Sequence, residues 1–248
     1  MIADALVYAG PHGDGSGASL DALLAEAAAN GVDRLVAAPA RPVDHDLAGA
    51  SERLADACAA SGGRAVCLVR VDPWQPDAEA QAERLLGHPA VRGLLVHPWE
   101  ETIRANHPRV RAVAARAAAA GRPLMVETGW PFLAEALSVA DLARGLDIPV
   151  VMTRGGQLNM AGLAQQSSDL ALEGTPNLQA LTCGVYRQDW IERAVASFGP
   201  ERILHGSSAP VFDLGFELER LRRAEIEDDA RRVSMGEAAA RLFALEPL

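Results

Sequence analysis

Short runs of consecutive apolar residues recur along the chain at a steady interval: "IADALVY" (2–8), "RLVAAPA" (34–40), "AVCLVRV" (65–71), "RGLLVHP" (92–98), "PLMVETG" (123–129), "PVVMTRG" (149–155), "LQALTC" (178–183) and "RILHGSS" (202–208). Each is continuous rather than alternating, as strands buried on both faces are. Between them lie longer segments whose apolar residues recur at three and four and which close on glycine: "SLDALLAEAAANG", "AGASERLADACAASGG", "RVRAVAARAAAAG" and "DWIERAVASFG". Those are helix patterns with helix stops. Strand followed by helix, eight times, predicts a parallel sheet covered on its outside, and in 248 residues that means an α/β (β/α)8 TIM barrel over 1–248 as a single domain. The alternative is an open doubly wound sheet. "GPHGDGSG" after the first strand would serve it as a dinucleotide loop, but the helix begins late, at Ser19, and no acidic residue closes the second strand. Ser19 and Asp21 read instead as an N-cap and first turn.

Composition narrows the chemistry. The chain is 49% apolar with a net charge of -10 and no basic tract, which argues against a nucleic-acid partner. No segment approaches the roughly 20 apolar residues that span a bilayer and no basic leader opens the chain, so the expectation is a cytoplasmic protein without membrane contact. Cys58, Cys67 and Cys183 form no CxxC pair and read as reduced core thiols. Every basic residue is arginine. Without lysine, Schiff-base aldolases, pyridoxal-phosphate enzymes and phosphate-loop nucleotidases are excluded.

In such a barrel the reactive groups stand at the carboxyl ends of the strands. The first strand ends at Tyr8 with His12 beyond; the second runs to Arg41, Asp44, His45 and Asp46; the third reaches Arg70 and Asp72. The fourth ends at His97, Trp99 and Glu100, the fifth at Glu127, the sixth at Arg154, the seventh at Cys183 and the eighth at Ser207 and Ser208. Ser207 and Ser208 lack the GxSxG elbow of a serine nucleophile.

The segments "GLLVHP", "RPLMVETG", "IPVVMTRGG", "TPNLQALTC", "FGPERILHGSSAP" and "GEAAARLFAL", in this order, resemble the amidohydrolase-related family of metal-dependent hydrolase and decarboxylase barrels. The resemblance implies one or two divalent ions held by a His-x-His pair on strand one, histidines on strands five and six and an aspartate on strand eight. Those places hold Leu6 and Tyr8, Glu127, Arg154 and Ser208. Leu6 has no donor atom and Arg154 carries a permanent positive charge, so the expectation is no metal and no other cofactor. A site rebuilt from His12, His45, His97 and Glu127 is the minor alternative.

The expected function is metal-independent hydrolysis (lactone or amide opening) or a lyase step on a small carbonyl- or carboxylate-bearing molecule. Glu127 is the expected general base, Arg154 the anion clamp and Tyr8 a catalytic hydrogen-bonding partner. Substrate binding is assigned to His12, His45, His97, Trp99, Trp130 and Ser208, with Phe132 adding apolar wall. The competing reading is a catalytically inactive barrel that binds a ligand or partner without turnover, in which Glu127 and Arg154 neutralise each other. A homodimer is what the resemblance implies about assembly.

Overall fold

The computed structural model describes residues 1–157 and 163–246. The strands are β1 (Ala3–Pro11), β2 (Gly17–Ala18), β3 (Arg34–Pro39), β4 (Ala65–Val69), β5 (Val91–Val96), β6 (Leu124–Val126), β7 (Val150–Met152), β8 (Leu178–Leu181) and β9 (Ile203–Leu204). Each of the eight predicted runs overlaps one of them; the two-residue β2, a short antiparallel return against the end of β1, has no counterpart among the predictions. The sheet order is β2-β1-β3-β4-β5-β6-β7-β8-β9, parallel throughout except for β2.

The sheet curls until its ends meet. Ala5 N–H donates to the His205 carbonyl at 3.0 Å, Ser208 N–H to that of Leu6 at 2.8 Å and Tyr8 N–H to that of Ala209 at 2.7 Å. Val7 and Ala209 form a parallel bridge. These bonds close the (β/α)8 barrel and leave neither β1 nor the chain beyond β9 with a free edge.

Alternation along the strands sorts the apolar residues into two clusters. Leu6, Tyr8, Val36, Ala38, Leu68, Leu95, Met125, Val151, Leu181 and Leu204 point inward and fill the barrel. Val7, Leu35, Ala37, Cys67, Val69, Leu94, Val96, Val126 and Met152 point outward against the helices. Because the side-chain period of a strand is two, the inward register continues from Leu68 to Arg70, from Leu95 to His97, from Met125 to Glu127 and from Leu181 to Cys183.

The helices α1 (Leu20–Ala29), α2 (Leu47–Ala60), α3 (Ala78–Leu86), α4 (Pro108–Ala119), α5 (Ala136–Ala143), α6 (Leu163–Glu173), α7 (Gln188–Phe198) and α8 (Leu214–Arg223) follow the strands. Ser19 caps α1 as predicted, its Oγ accepting from Ala22 N–H at 3.2 Å. The last helical run comprises α9 (Asp228–Arg232), a π-helical turn over Val233–Glu237 and α10 (Ala238–Phe243). Ala238, Ala239, Phe243 and Leu245 join the interior cluster and form the floor of the barrel. Gly236 allows that approach: a Cβ there would lie 2.2 Å from the Met1 carbonyl oxygen.

Candidate functional site

Three of the predicted residues meet at the mouth. Glu127 follows β6 on the inward face and is fully buried. Its Oε1 accepts from Arg154 Nε at 2.8 Å and its Oε2 from the Tyr8 hydroxyl at 2.7 Å. Burial opposes ionisation of Glu127, but the charge of Arg154 and the two hydrogen bonds outweigh it and hold the carboxyl below its ordinary range. Burial, then the Glu127 charge, pushes the Tyr8 phenol well above its usual value, so it stays protonated and donates.

The backbone explains how Arg154 reaches its partner. β7 ends in a tight turn, Thr153–Gly156, where Arg154 adopts φ 52° and ψ 29°. That left-handed conformation costs a non-glycine residue about 1–3 kcal/mol and persists where surrounding contacts impose it. Here Thr128 N–H donates to Thr153 Oγ1 at 2.9 Å, and the Thr128 hydroxyl donates to the Thr153 carbonyl, tying the two strand ends together beside the pair. The guanidinium also lies 5.0 Å from the centre of the Phe212 ring.

A second charged group adjoins the first; Arg70 and Glu100 were placed at strand ends by the sequence, but Glu101 and the pairing of the three were not. Arg70, fully buried, donates to Glu100 Oε2 at 2.7 Å, to Glu101 Oε1 at 2.5 Å and to the Pro39 carbonyl at 3.1 Å. Glu101 also receives His97 N–H at 2.7 Å. Burial pushes the Glu101 carboxyl up to about 7, whereas at Glu100 the opposing burial is overcome, chiefly by Arg70, and the carboxyl falls to about 2. Glu100 Oε1 lies 3.1 Å from His12 Nε2, and His12 Nδ1 lies 2.6 Å from Asp14 Oδ1. Burial works against protonation of His12, but these carboxylates raise its pKa overall. His97 goes the other way: burial takes it down to about 4, which leaves a neutral ring at pH 7. Its Nδ1 accepts from Glu100 N–H at 3.3 Å, placing the ring proton on Nε2. The signal for Arg70 was the inward register it shares with Leu68; Glu101 carried none, because its direction is set by a turn in which its own N–H donates to the His97 carbonyl.

A cavity of about 200 Å³ opens at this mouth. Tyr8, His12, His97, Trp99, Glu127, Trp130 and Arg154 all line it, together with Asp14, Glu100 and Val211. Trp99 and Trp130 stack with ring centres 4.2 Å apart and planes 12° apart. Two predicted binding residues are not brought to it. His45 stands in an exposed turn with φ 59°, grouped with Asp44, Asp46 and Asp72 in a separate depression. Ser208 is fully buried, and its hydroxyl donates to Cys183 Sγ at 3.2 Å rather than toward a ligand. Cys183 is also buried, with a thiol pushed up to about 12 chiefly by that burial, so it is no thiolate. Phe132, expected in the wall, is 79% exposed outside the cavity.

A (β/α)8 barrel presents its strand ends at the carboxyl-terminal mouth, and here a buried carboxylate, a guanidinium and a phenol meet there. The family model for amidohydrolases matches residues 4–245, and the chain belongs to that family. Solved structures extend the likeness over whole chains. A 2,6-dihydroxybenzoate decarboxylase from Rhizobium superposes with a TM-score of 0.76 at 15% identity, covering 99% of each chain. A protein from Pseudomonas putida provisionally assigned as a 2-pyrone-4,6-dicarboxylic acid hydrolase gives 0.76 at 17% identity over 100% of this chain and 98% of that one. A dihydroxybenzoic acid decarboxylase from Polaromonas, solved with manganese and the inhibitor 2-nitroresorcinol, gives 0.74 at 13% identity over 100% and 98%. At such identities the likeness establishes the fold. No curated protein matches the chain. Among the described residues no helix is long and apolar enough to cross a membrane.

Proposed function

We propose that the protein binds a small planar molecule bearing a carboxylate or an activated carbonyl and opens or cleaves it by metal-free hydrolysis or a related lyase step. The observation that carries this reading is the Tyr8–Glu127–Arg154 chain at the cavity wall. Arg154 commits Nε to Glu127 while it also lines the cavity, so its remaining N–H groups are the natural clamp for a substrate oxyanion. Tyr8 supplies a neutral donor. Each Glu127 oxygen accepts one hydrogen bond and keeps a second lone-pair site, through which the carboxylate takes a proton from an attacking water as charge gathers on the oxygen held by Arg154. The volume suits the class: about 150 Å³ admits benzene, so about 200 Å³ admits one ring with small substituents. Structural neighbours named for dihydroxybenzoates and a pyrone dicarboxylate act on molecules of that size and charge.

The residues present do not fit a divalent ion, which supports the metal-free part of the proposal. Leu6 lies inside the apolar core with no donor atom, and the one carboxylate at this point of the mouth is already paired with a guanidinium. Among the described residues no group of three or more His, Cys, Asp or Glu side chains could hold a metal. The second reading, a barrel that binds without turnover, is favoured by one observation: Arg154, 2.8 Å from the Glu127 carboxylate, lowers its pKa by its charge first and its hydrogen bond after, which weakens it as a base.

The test is a panel of benzoates, hydroxybenzoates and pyrone or lactone carboxylates, screened for binding by calorimetry and for turnover by proton NMR. Substrate loss that disappears in both Glu127→Gln and Arg154→Met supports the reading; undiminished turnover in both variants overturns it. Binding without turnover across the panel supports the second reading.

A further inference from the structure

Along β1 the alternation of faces breaks once. Ala3 and Ala5 belong to the interior cluster, and so do Leu6 and Tyr8, whereas Val7 and Ala9 face the helices. Ala5 and Leu6 are sequence neighbours on one face, which a regular strand does not allow. The pairing with β3 gives the reason: Asp4 stands opposite Leu35 and Val7 opposite Ala37, so Ala5 and Leu6 together answer the single Val36. That is a β-bulge. A strand without it keeps one parity throughout, and Tyr8 would then share the face of Asp4 instead of the face of Ala3 and Ala5.

The Asp4 carboxyl holds this irregularity in place. Asp4 is fully buried, and its Oδ1 accepts from Leu6 N–H at 3.1 Å and, across the closing seam, from Ser207 N–H at 2.9 Å. The rungs on either side are main-chain bonds, Ala5 N–H to the His205 carbonyl at 3.0 Å and Ser208 N–H to the Leu6 carbonyl at 2.8 Å. An extra residue disrupts the ladder locally, and a buried N–H left unmatched there costs about 1–3 kcal/mol. One side-chain oxygen therefore matches a donor on each strand of the seam at the point where the ladder slips. Two residues beyond, the Tyr8 N–H meets the Ala209 carbonyl and the Tyr8 hydroxyl meets Glu127 Oε2.

We propose that Asp4 is a positioning residue for the mouth: by holding the bulge through Oδ1 it lets the first half of β1 keep Ala3 and Ala5 inside the barrel while the second half turns the Tyr8 hydroxyl to Glu127. Asp4 itself, being fully buried, touches no ligand. The effect on turnover rests on the hydrolysis or lyase reading above; the placement of Tyr8 does not.

The experiment labels tyrosine with carbon-13 at the ring carbon that bears the hydroxyl. The chain has two tyrosines, and Tyr186→Phe assigns the Tyr8 signal. Glu127→Gln shows how far that signal moves when the carboxylate partner is removed. Asp4→Asn keeps Oδ1 and should leave the Tyr8 signal at its wild-type position. Asp4→Leu removes the acceptor, and the signal should shift at least as far as Glu127→Gln shifts it. Deleting Ala5 from Asp4→Leu takes out the extra residue, so that β1 alternates regularly with Tyr8 inward, and the wild-type position should return. A signal unmoved in Asp4→Leu, one moved as far by Asp4→Asn as by Asp4→Leu, or one the deletion does not restore overturns the inference. If Asp4→Leu does not fold, the deletion decides: a bulge-free chain that also fails to fold overturns it. On a probe that the wild type turns over, kcat in Asp4→Leu should fall roughly hundred-fold, as for a lost donor at a reacting oxygen, with KM changed far less, and should recover on deletion. Tyr8 displaced with kcat intact overturns the role given to Tyr8 under the proposed function and leaves the role of Asp4 standing.

Discussion

Replacing Arg154 by methionine isolates the electrostatics of the mouth. The wild-type Glu127 carboxylate is fully buried and is balanced by one guanidinium 2.8 Å away and one phenol 2.7 Å away. Arg154→Met removes the only charge among those partners. Breaking a buried pair from one side costs about 3–5 kcal/mol, because an uncompensated ion is left behind. Glu127 can escape by taking up a proton, since burial is then opposed only by weaker groups. Its folded pKa should move from below to above the unfolded value of about 4.3. With the folded pKa raised, the stability contributed by Glu127 in the variant is complete below about pH 4.3 and is lost as pH climbs through the new value. In the wild type the sign is opposite: the contribution is present above about pH 4.3 and fades as pH falls through the lowered value. Urea unfolding at pH 5 and pH 8 should therefore show a deficit of about 3–5 kcal/mol at pH 8 that is clearly smaller at pH 5. Adding Glu127→Gln to Arg154→Met should recover most of the pH 8 deficit, giving a coupling energy of about 2 kcal/mol or more in the double-mutant cycle. A deficit independent of pH, or a double variant as unstable as the sum of the singles, would refute the account of Glu127 as a carboxylate kept ionised by Arg154.

Three further outcomes follow from other parts of the molecule. Elemental analysis of protein purified without chelator should find no stoichiometric zinc or manganese, and added manganese should leave the melting temperature unchanged; a bound equivalent would contradict the metal-free proposal. Glu101, pushed up to about 7, contributes stability that is complete below about pH 4.3 and lost as pH rises through 7. The deficit of Glu101→Gln relative to wild type should then shrink between pH 5 and pH 8, by on the order of 1–3 kcal/mol in denaturant unfolding, and a constant deficit would count against it. Gly236→Ala should cost about 1–3 kcal/mol by thermal unfolding, because its Cβ meets the Met1 carbonyl rather than a movable side chain; a neutral result would mean the floor can yield.

The fold was legible because the pattern that announces it is local. Eight apolar runs, short and continuous rather than alternating, overlap the eight barrel strands. Tyr8, Glu127 and Arg154 were legible for the same reason: they end strands, and strand ends share one rim. What failed to show has non-local causes. Glu101 is placed by a turn after β5, and its partner Arg70 arrives from β4, so neither neighbour in sequence reveals the pairing. Ser208 sits at the right strand end, but with φ 56° its hydroxyl meets Cys183 and not the cavity. His45, assigned to substrate binding from its place after the second strand, lies in a left-handed turn away from the mouth.

The closure of the ring has a temporal meaning. β1 pairs with β3 on one side and with 205–209 on the other, so the seam joins residues some 200 positions apart in the chain. A nascent polypeptide that has already formed its first strand must hold that strand with one edge unpaired until nearly the whole chain has been made. Unpaired edges recruit other strands, and the seam closes a loop of about 200 residues, so its closure comes at a high chain-entropy cost. Pairing at the seam also fixes the Tyr8 backbone, whose N–H donates to the Ala209 carbonyl, so the mouth is complete only once residues 205–209 have joined β1.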